Sequence, residues 1–285
     1  MSETPGQGPH PLHPKPSPTD HRAATRVLLL GGTTEASALA ALIAGSPAVS
    51  VTLSLAGRTA APRPEPVPTR VGGFGGAEGL ARWLAENAIA AVIDATHPFA
   101  ARISANAARA CAEARVPLLA IRRTAWERRP GDAWIEVASV PASVEALGPL
   151  PRRVFLTIGR QEVSAFARAP HHAYVVRSIE PIGDALPVPD LTTVSARGPF
   201  SLADEIRFMR EAGIEVLVTK NSGGAATYAK IEAARELGLP VVIVARPALP
   251  EVPAVPNAAG ARDWLFALRA AAGSTPPVCG AMAGS

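Results

Sequence analysis

The chain has 285 residues, 48% of them apolar, and a formal net charge of +4 at pH 7. This length suits two domains of ordinary size, each with its own core. No apolar run is long enough to span a membrane, so we expect a soluble globular protein without a membrane partner. The arginines and lysines are dispersed and no nucleic-acid-binding motif occurs, which excludes nucleic acid as an expected partner.

Both ends of the chain differ in composition from the part between them. Residues 1–24 are rich in Pro, Gly and Ser and lack the apolar segment of a signal peptide. We predict a disordered tail there and another over residues 273–285. The two cysteines, Cys111 and Cys279, make neither a disulfide framework nor a zinc site. We therefore expect no metal and a reducing, cytoplasmic location.

The first predicted unit is a strand, a glycine turn and a helix. An apolar strand over residues 26–30 runs into Gly31-Gly32-Thr33-Thr34-Glu35, and an alanine- and leucine-rich helix follows to about residue 44. Glycines let a phosphate approach the backbone, and free N–H groups at a helix start bind anions. We expect a nucleotide's phosphates at this turn. Thr33 and Thr34 either cap the helix or bind phosphate.

The end of the second strand indicates which nucleotide is bound. This strand covers residues 49–55 and ends in Ala-Gly-Arg58-Thr59. An acidic residue at this place binds the 2′-hydroxyl of NAD, whereas an arginine accommodates the 2′-phosphate of NADP. No Asp or Glu occurs between Glu35 and Glu65. Arg58 and Thr59 therefore predict NADPH as the cofactor, with an ordinary surface arginine as the alternative.

A buried strand over residues 90–95 ends in a polar turn that contains a histidine. Thr96 and His97 follow the strand, and a helix that carries Arg102 and Asn106 on one face runs to about residue 114. Ligands of open α/β sheets bind beyond the carboxyl ends of the strands. A site is expected here, although Thr96 as a helix cap and His97 as a turn filler remain an alternative. A further strand over 116–121 completes a parallel sheet.

The second half repeats the alternation of strands and helices. Strands are predicted over residues 154–158, 173–178, 191–196, 215–219 and 241–245, and helices over 161–169, 201–212, 225–237 and 258–272. The fold class is therefore α/β, with two Rossmann-like domains of parallel sheet and the active site in the cleft between them. We divide the chain into residues 25–148, which bind the nucleotide, and residues 149–272, which bind the substrate.

Each of these five strands has a basic residue at or just beyond its carboxyl end. They are Arg160, Arg177, Arg197, Lys220 and Arg246. Together they would form a cationic wall for a ligand with several carboxylates or phosphates, whereas each alone could be a plain surface charge. Ser222, Gly223 and Gly224, which follow Lys220, predict an anion-binding nest at a helix start.

Six short motifs resemble the precorrin-6A reductase family, in order and at the family's spacing, over about residues 25–270. They are Gly-Gly-Thr-Thr-Glu at 31–35, Ala-Gly-Arg at 56–58, Asp-Ala-Thr-His-Pro-Phe-Ala at 94–100 with Ile-Ser-Ala-Asn-Ala at 103–107, Arg-Gly-Pro-Phe at 197–200, Lys-Asn-Ser-Gly-Gly at 220–224 and Arg-Pro at 246–247. The resemblance implies an NADPH-dependent enzyme of cobalamin biosynthesis. Such enzymes reduce one macrocycle double bond of precorrin-6A, or act on its cobalt-containing analogue.

The strand-end pattern and the family resemblance together assign roles to the candidate residues. Gly31, Gly32, Thr33, Thr34, Arg58, Thr59 and Thr96 would bind the cofactor. Arg102, Asn106, Arg160, Arg177, Arg197, Lys220, Ser222, Gly223 and Gly224 would bind the carboxylate arms of the substrate. His97 would be the proton donor or a neighbour of the nicotinamide, because an ordinary histidine pKa of about 6.5 permits proton transfer; water is the alternative donor. We expect a monomer or a weak oligomer.

Two other classes of protein compete with this hypothesis. A regulatory module that binds NADPH without chemistry would need no second basic surface. A Rossmann enzyme acting on a sugar nucleotide normally has a Tyr-x-x-x-Lys pair, but neither Tyr174 nor Tyr228 has a lysine four residues on. Both alternatives are disfavoured.

Overall fold

The computed structural model describes residues 23–57 and 64–272, which form two six-stranded sheets. In the first sheet the spatial order is β3-β2-β1-β4-β5-β12, and every neighbouring pair is parallel. Its strands are β1 (Thr25–Leu30), β2 (Val49–Leu55), β3 (Thr69–Val71), β4 (Ala91–Asp94), β5 (Leu118–Ile121) and β12 (Ala254–Val255). Two parallel sheets with intervening helices confirm the predicted fold class.

The second sheet has the order β6-β11-β10-β7-β8-β9 and is also parallel throughout. Its strands are β6 (Trp134–Val137), β7 (Arg153–Leu156), β8 (Ala173–Ser178), β9 (Leu191–Ser195), β10 (Val216–Lys220) and β11 (Val241–Val244). In each sheet the strand order reverses direction at the centre, between β1 and β4 in the first sheet and between β7 and β10 in the second. A crevice lies beyond the carboxyl ends of the two strands at each reversal.

Helices cover both faces of each sheet. They are α1 (Thr34–Ile43), α2 (Gly76–Glu86), α3 (Ala101–Ala114), α4 (Val140–Ala146), α5 (Leu202–Glu211), α6 (Ala229–Glu236) and α7 (Ala258–Ala271). In the first sheet, α1 and α7 pack on the face that presents Val27 and Leu29, and α2 and α3 pack on the face that presents Leu28 and Leu30. Because both faces are buried, the central strands are continuous apolar runs.

Sheet membership differs from the predicted division at residue 148 in two places. Strand β6 precedes that residue but pairs with β11 of the second sheet. Strand β12 pairs with β5 of the first sheet, and α7 packs against α1. The chain thus crosses between the sheets twice. The predicted domain ranges themselves stay a prediction.

One predicted helix takes a different form. The segment expected as a helix over 161–169 is a 3₁₀-helix, Val163–Arg168. Val163 and Phe166 lie three residues apart and are both fully buried, which suits a helix with three residues per turn. Pro170 then prevents its extension. Among the described residues no helix has the length and apolarity needed to cross a membrane, and no cluster of metal ligands occurs.

Most of the two predicted tails lies outside the described residues, and so do Arg58 and Thr59. Their predicted roles stay predictions.

Candidate functional site

The carboxyl edges of the two sheets meet through loops that bond to each other. Arg123, which follows β5, donates its Nε to the carbonyl oxygen of Ser222, which follows β10, at 2.7 Å. Arg246, which follows β11, donates to the carbonyl oxygen of Arg123 at 2.7 Å. The side chain of Asn221 accepts from the backbone N–H of Trp126 and donates to its carbonyl oxygen. Direct hydrogen bonds thereby hold the two carboxyl edges together.

The glycine turn after β1 has the form of a phosphate-binding turn. A Cβ on Gly31 would lie 2.4 Å from the Leu53 side chain, so this position accepts glycine alone without repacking. Gly32 has a φ of +103° and open space where its Cβ would be. The backbone N–H groups of Gly32 and Thr34 donate to no acceptor in the described part of the chain. These free donors at the start of α1 fit a phosphate.

The two threonines of this turn bond within the protein. Thr33 is the N-cap of α1: its hydroxyl accepts from the N–H of Ala36 at 3.2 Å and donates to the carbonyl oxygen of Ala95 at 2.7 Å. The Thr34 hydroxyl donates to Glu35. Thr33 therefore takes the capping alternative and ties the glycine turn to the end of β4.

Asp94, at the end of β4, is a buried carboxylate that the sequence reading did not single out. It accepts from Arg122 at 2.7 Å, from Ser104 at 2.7 Å, and from the hydroxyl and N–H of Thr96 at 2.6 and 3.1 Å. Burial raises the pKa of Asp94, but Arg122 and the hydrogen bonds outweigh it and lower the pKa overall. Thr96 thus orients Asp94; the role in cofactor binding predicted for Thr96 stays a prediction.

His97 is neutral in this environment. Burial, with the charges of Arg123, Lys220, Lys230 and Arg246, lowers its pKa to about 3. Its Nδ1 accepts from the N–H of Phe99 at 3.2 Å, which leaves the proton on Nε2. Nε2–H has no acceptor within the described residues. His97 therefore offers a hydrogen-bond donor toward a ligand and does not carry the spare proton of an imidazolium.

Of the predicted basic wall, three members have partners inside the protein. Arg177 makes a two-pronged ion pair with Glu205 at 2.7 and 3.1 Å and lies 3.8 Å over the Phe200 ring. Lys220 pairs with Glu162. Arg246 donates to backbone carbonyl oxygens of both loops. Glu205 and Glu162 already compensate part of the charge of Arg177 and Lys220. A role for these two cations in binding a substrate carboxylate stays a prediction.

Three predicted cations are exposed and unpaired among the described residues: Arg102, Arg160 and Arg197. Asn106, one turn beyond Arg102 on α3, is half-exposed. Arg102 lines a cavity of about 500 Å³ between the start of α3 and the second sheet, where Phe99, Glu162, Ser164 and Ala245 also lie. The cavity places a free cation of one half opposite the strand ends of the other.

Gly223 and Gly224 allow the two loops to approach closely. A Cβ on Gly223 would lie 2.2 Å from both the carbonyl oxygen of Thr124 and a terminal nitrogen of Arg246, and one on Gly224 would lie 3.0 Å from Arg123. Their φ angles of +67° and +73° also favour glycine. Packing between loops thus accounts for both glycines, and the anion-binding nest with Ser222 stays a prediction.

The structure also brings three residues to this site that the sequence patterns did not indicate: Arg122, Arg123 and Lys230. Arg122 and Arg123 follow β5 just as the predicted basic residues follow their strands, so the same rule would have found them. Lys230 lies in the first turn of α6 and is buried, 6% exposed. A lysine at a helix start carries no local signal of burial.

Comparisons with known proteins agree with this architecture. Residues 26–265 match the family model of the precorrin-6x reductase CbiJ/CobK. A precorrin-6A reductase from a Sinorhizobium species is 54% identical over 81% of this chain and 88% of its own length. The precorrin-6A reductase of Rhodobacter capsulatus is 47% identical over 85% of this chain and 96% of its own.

A solved structure supports the fold as well as the family. The structure described as CobK precorrin-6A reductase superposes with a TM-score of 0.81 at 46% sequence identity, covering 86% of this chain and 97% of that one. The match spans both sheets and the loops between them. The chain belongs to the precorrin-6x reductase CbiJ/CobK family.

Proposed function

We propose that this protein reduces one macrocycle double bond of precorrin-6A with NADPH, in cobalamin biosynthesis. The observation that carries the proposal is the pairing of two unlike edges. Among the described residues, the glycine turn of one sheet has free N–H donors, and the carboxyl edge of the other sheet, to which Arg123 connects it, has arginines without a partner. Relatives named precorrin-6A reductase, at 47–54% identity over most of their length, support the same substrate.

The residues of the first sheet suit a nicotinamide dinucleotide. The N–H groups of Gly32 and Thr34 would hold the diphosphate, and Arg58 and Thr59 would hold the 2′-phosphate. When bound, NADPH supplies the hydride. The absence of Asp and Glu from residues 36–64 favours the 2′-phosphate over a free ribose hydroxyl.

The residues of the second sheet and α3 suit a flat polycarboxylate. Precorrin-6A carries acetate and propionate arms, and Arg102, Arg160 and Arg197 are cations without a partner in the described part of the chain. Each can bind a carboxylate without first breaking an internal ion pair. His97, neutral and with a free Nε2–H, would hydrogen-bond the nicotinamide amide or the substrate. The two cysteines, one of them free and buried, support action in a reducing cytoplasm.

The test is anaerobic oxidation of NADPH by the purified enzyme with precorrin-6A, with NADH and the cobalt-containing analogue in parallel. We expect substrate-dependent loss of NADPH absorbance, a rate with NADH at least tenfold lower, and a higher KM for NADPH in Arg58→Ala with an unchanged KM for NADH. NADPH binding without consumption in the presence of either macrocycle would refute the proposal and favour a regulatory module.

A further inference from the structure

Lys230 is a buried lysine without a hydrogen-bond or ion-pair partner in the described part of the chain. It lies in the first turn of α6, is 6% exposed, and its Nζ has no hydrogen bond or ion pair within the described residues. The ring of Trp126 lies beside it, with the ring centre 5.3 Å from Nζ. Nζ is not among the fully enclosed polar atoms that lack a partner, so a small part of its surface is accessible.

Among the described residues no carboxylate forms an ion pair with this ammonium group, and Glu205, whose charge favours it, is already paired with Arg177. Other buried charges are paired: Arg177 with Glu205, Asp94 with Arg122 and Asp132 with Arg235. The first turn of a helix is also its positive end, which disfavours a cation. An unpaired charge taken from water costs free energy that packing alone does not return. A ligand or a reaction is therefore the natural reason for an amine at this position.

The groups around Lys230 come from both halves of the chain. The charges of Arg177 of β8, Glu205 of α5 and Arg123, in the loop after β5, all act on its ammonium group. His97, after β4, is close enough for its own pKa to be lowered by the Lys230 charge. The Trp126 ring beside Lys230 donates its Nε1–H to the carbonyl oxygen of Gly224 at 2.8 Å. Lys230 therefore lies where the loops after β5 and β10 meet.

We propose that Lys230 is the proton donor of the reduction, a role that rests on the proposed function. The hydride adds to one carbon of the macrocycle double bond, and the electron pair of that bond moves to the neighbouring carbon. That carbon takes a proton from Lys230 Nζ, which becomes a neutral amine and then regains a proton from water. The macrocycle gains two hydrogens, one as the hydride that bound NADPH would supply and one as the proton from Lys230.

The acidity of Lys230 suits this step. Burial, with Arg177 and Arg123, lowers its pKa to about 7, against the opposing effect of Glu205. An amine with a pKa near the working pH is both protonated in a large fraction of molecules and ready to release the proton. His97, with a pKa of about 3, has no such proton to give at neutral pH.

The test compares Lys230→Met and Lys230→Arg with the wild type in single-turnover reduction of precorrin-6A by NADPH. Arginine keeps the charge but holds its proton throughout the accessible pH range. We expect both variants to react about 10²-fold or more slowly, with NADPH affinity within twofold of the wild type.

The dependence of the rate on pH gives a second readout. Wild-type rates should fall as pH rises above the Lys230 pKa, and the residual rates of Lys230→Met should lack that fall. The control is Arg210→Met, which removes an exposed cation in the last turn of α5, and it should keep the wild-type rate.

A second measurement needs no substrate. The chain has three lysines, so ¹³C-labelled lysine gives few signals, and the one lost in Lys230→Met should titrate near pH 7. Rates of both variants within threefold of the wild type, full rescue by Lys230→Arg, or titration of this signal near pH 10 would overturn the role of Lys230. A wild type that reduces neither form of the macrocycle would instead overturn the proposed function, and with it this role.

Discussion

Arg123 donates its Nε to the carbonyl oxygen of Ser222 at 2.7 Å while its terminal nitrogen bonds Glu35 at 3.0 and 3.2 Å. One side chain thus connects the start of α1, beside the glycine turn, with the loop after β10. We therefore expect a ligand bound at one carboxyl edge to change the affinity for a ligand at the other.

This connection predicts the effect of Arg123→Gln. The variant loses a charge-assisted bond to Ser222 and the pair with Glu35, and hydrogen bonds to charged groups contribute about 1.5–3 kcal/mol. We expect a loss of about 2 kcal/mol in the free energy of unfolding by urea and a higher KM for both substrates. Arg210→Gln, which removes an exposed cation, should change neither quantity; equal effects of the two variants would contradict a connecting role.

Gly223→Ala tests the close approach of the two loops. The added methyl group would meet Thr124 and Arg246 at 2.2 Å, and alanine at this φ costs about 1–2 kcal/mol in addition. Gly238 is a matched control, because its φ of +66° is almost the same and nothing lies within 4 Å of its Cβ. We expect Gly223→Ala to lower the melting temperature more than Gly238→Ala and to raise the KM for precorrin-6A. Similar melting temperatures for the two variants would argue against tight loop packing.

Asp94→Asn tests the buried pair beneath the site. Removing one partner of such a pair costs about 3–5 kcal/mol when it is fully buried, and because Arg122 is partly exposed we expect about 3 kcal/mol. Because the pKa of Asp94 is lower in the folded protein than its value of about 3.9 in the unfolded chain, ionised Asp94 stabilises the fold at any pH above about 3.9. This stabilisation is lost as the pH falls through the folded-state pKa. Urea unfolding should therefore show a wild-type advantage at pH 7 that shrinks in strong acid. A difference independent of pH would contradict the assignment.

His97 predicts a different dependence on pH. Its folded pKa of about 3 lies below the unfolded value of about 6.5, so the unfolded chain binds the extra proton between those values. Stability conferred by neutral His97 is complete above about pH 6.5 and falls as pH decreases toward 3. We expect wild-type stability to decrease from pH 7.5 to pH 5 more than that of His97→Gln, as measured by urea unfolding. Parallel decreases would show that His97 is not held neutral.

Arg197→Ala and Arg160→Ala test the free cations. Neither side chain has a partner among the described residues, so the melting temperature and NADPH affinity should not change. Loss of one charge-assisted bond to a carboxylate should raise the KM for precorrin-6A about tenfold or more. Arg210→Ala, at an exposed arginine in the last turn of α5, should leave the KM unaltered. A KM unaffected by both arginines would remove them from substrate binding.

The sequence predicted the alternation of strands and helices well, because buried parallel strands and helix caps leave local signals, such as the apolar run of β1 and Thr33 before α1. It could not predict that β12 pairs with β5, since a two-residue strand has no pattern of its own and its partner is chosen by tertiary packing. The pairing of Arg177 with Glu205, 28 residues away, and the burial of Lys230 depend on the assembled fold in the same way. The basic residues therefore lie at the strand ends, as the sequence predicts. The sequence could not predict which of them have a partner inside the protein.

The most direct measurement is the origin of the two hydrogens that the product gains. The reduction would be run with NADPH deuterated at each face of C4 in turn, and separately in D₂O, with mass spectrometry and NMR of the product. We expect one deuterium from one C4 face only, and one from D₂O at the neighbouring carbon by way of Lys230. A product that takes no deuterium from either form of NADPH would contradict direct transfer between the two facing edges.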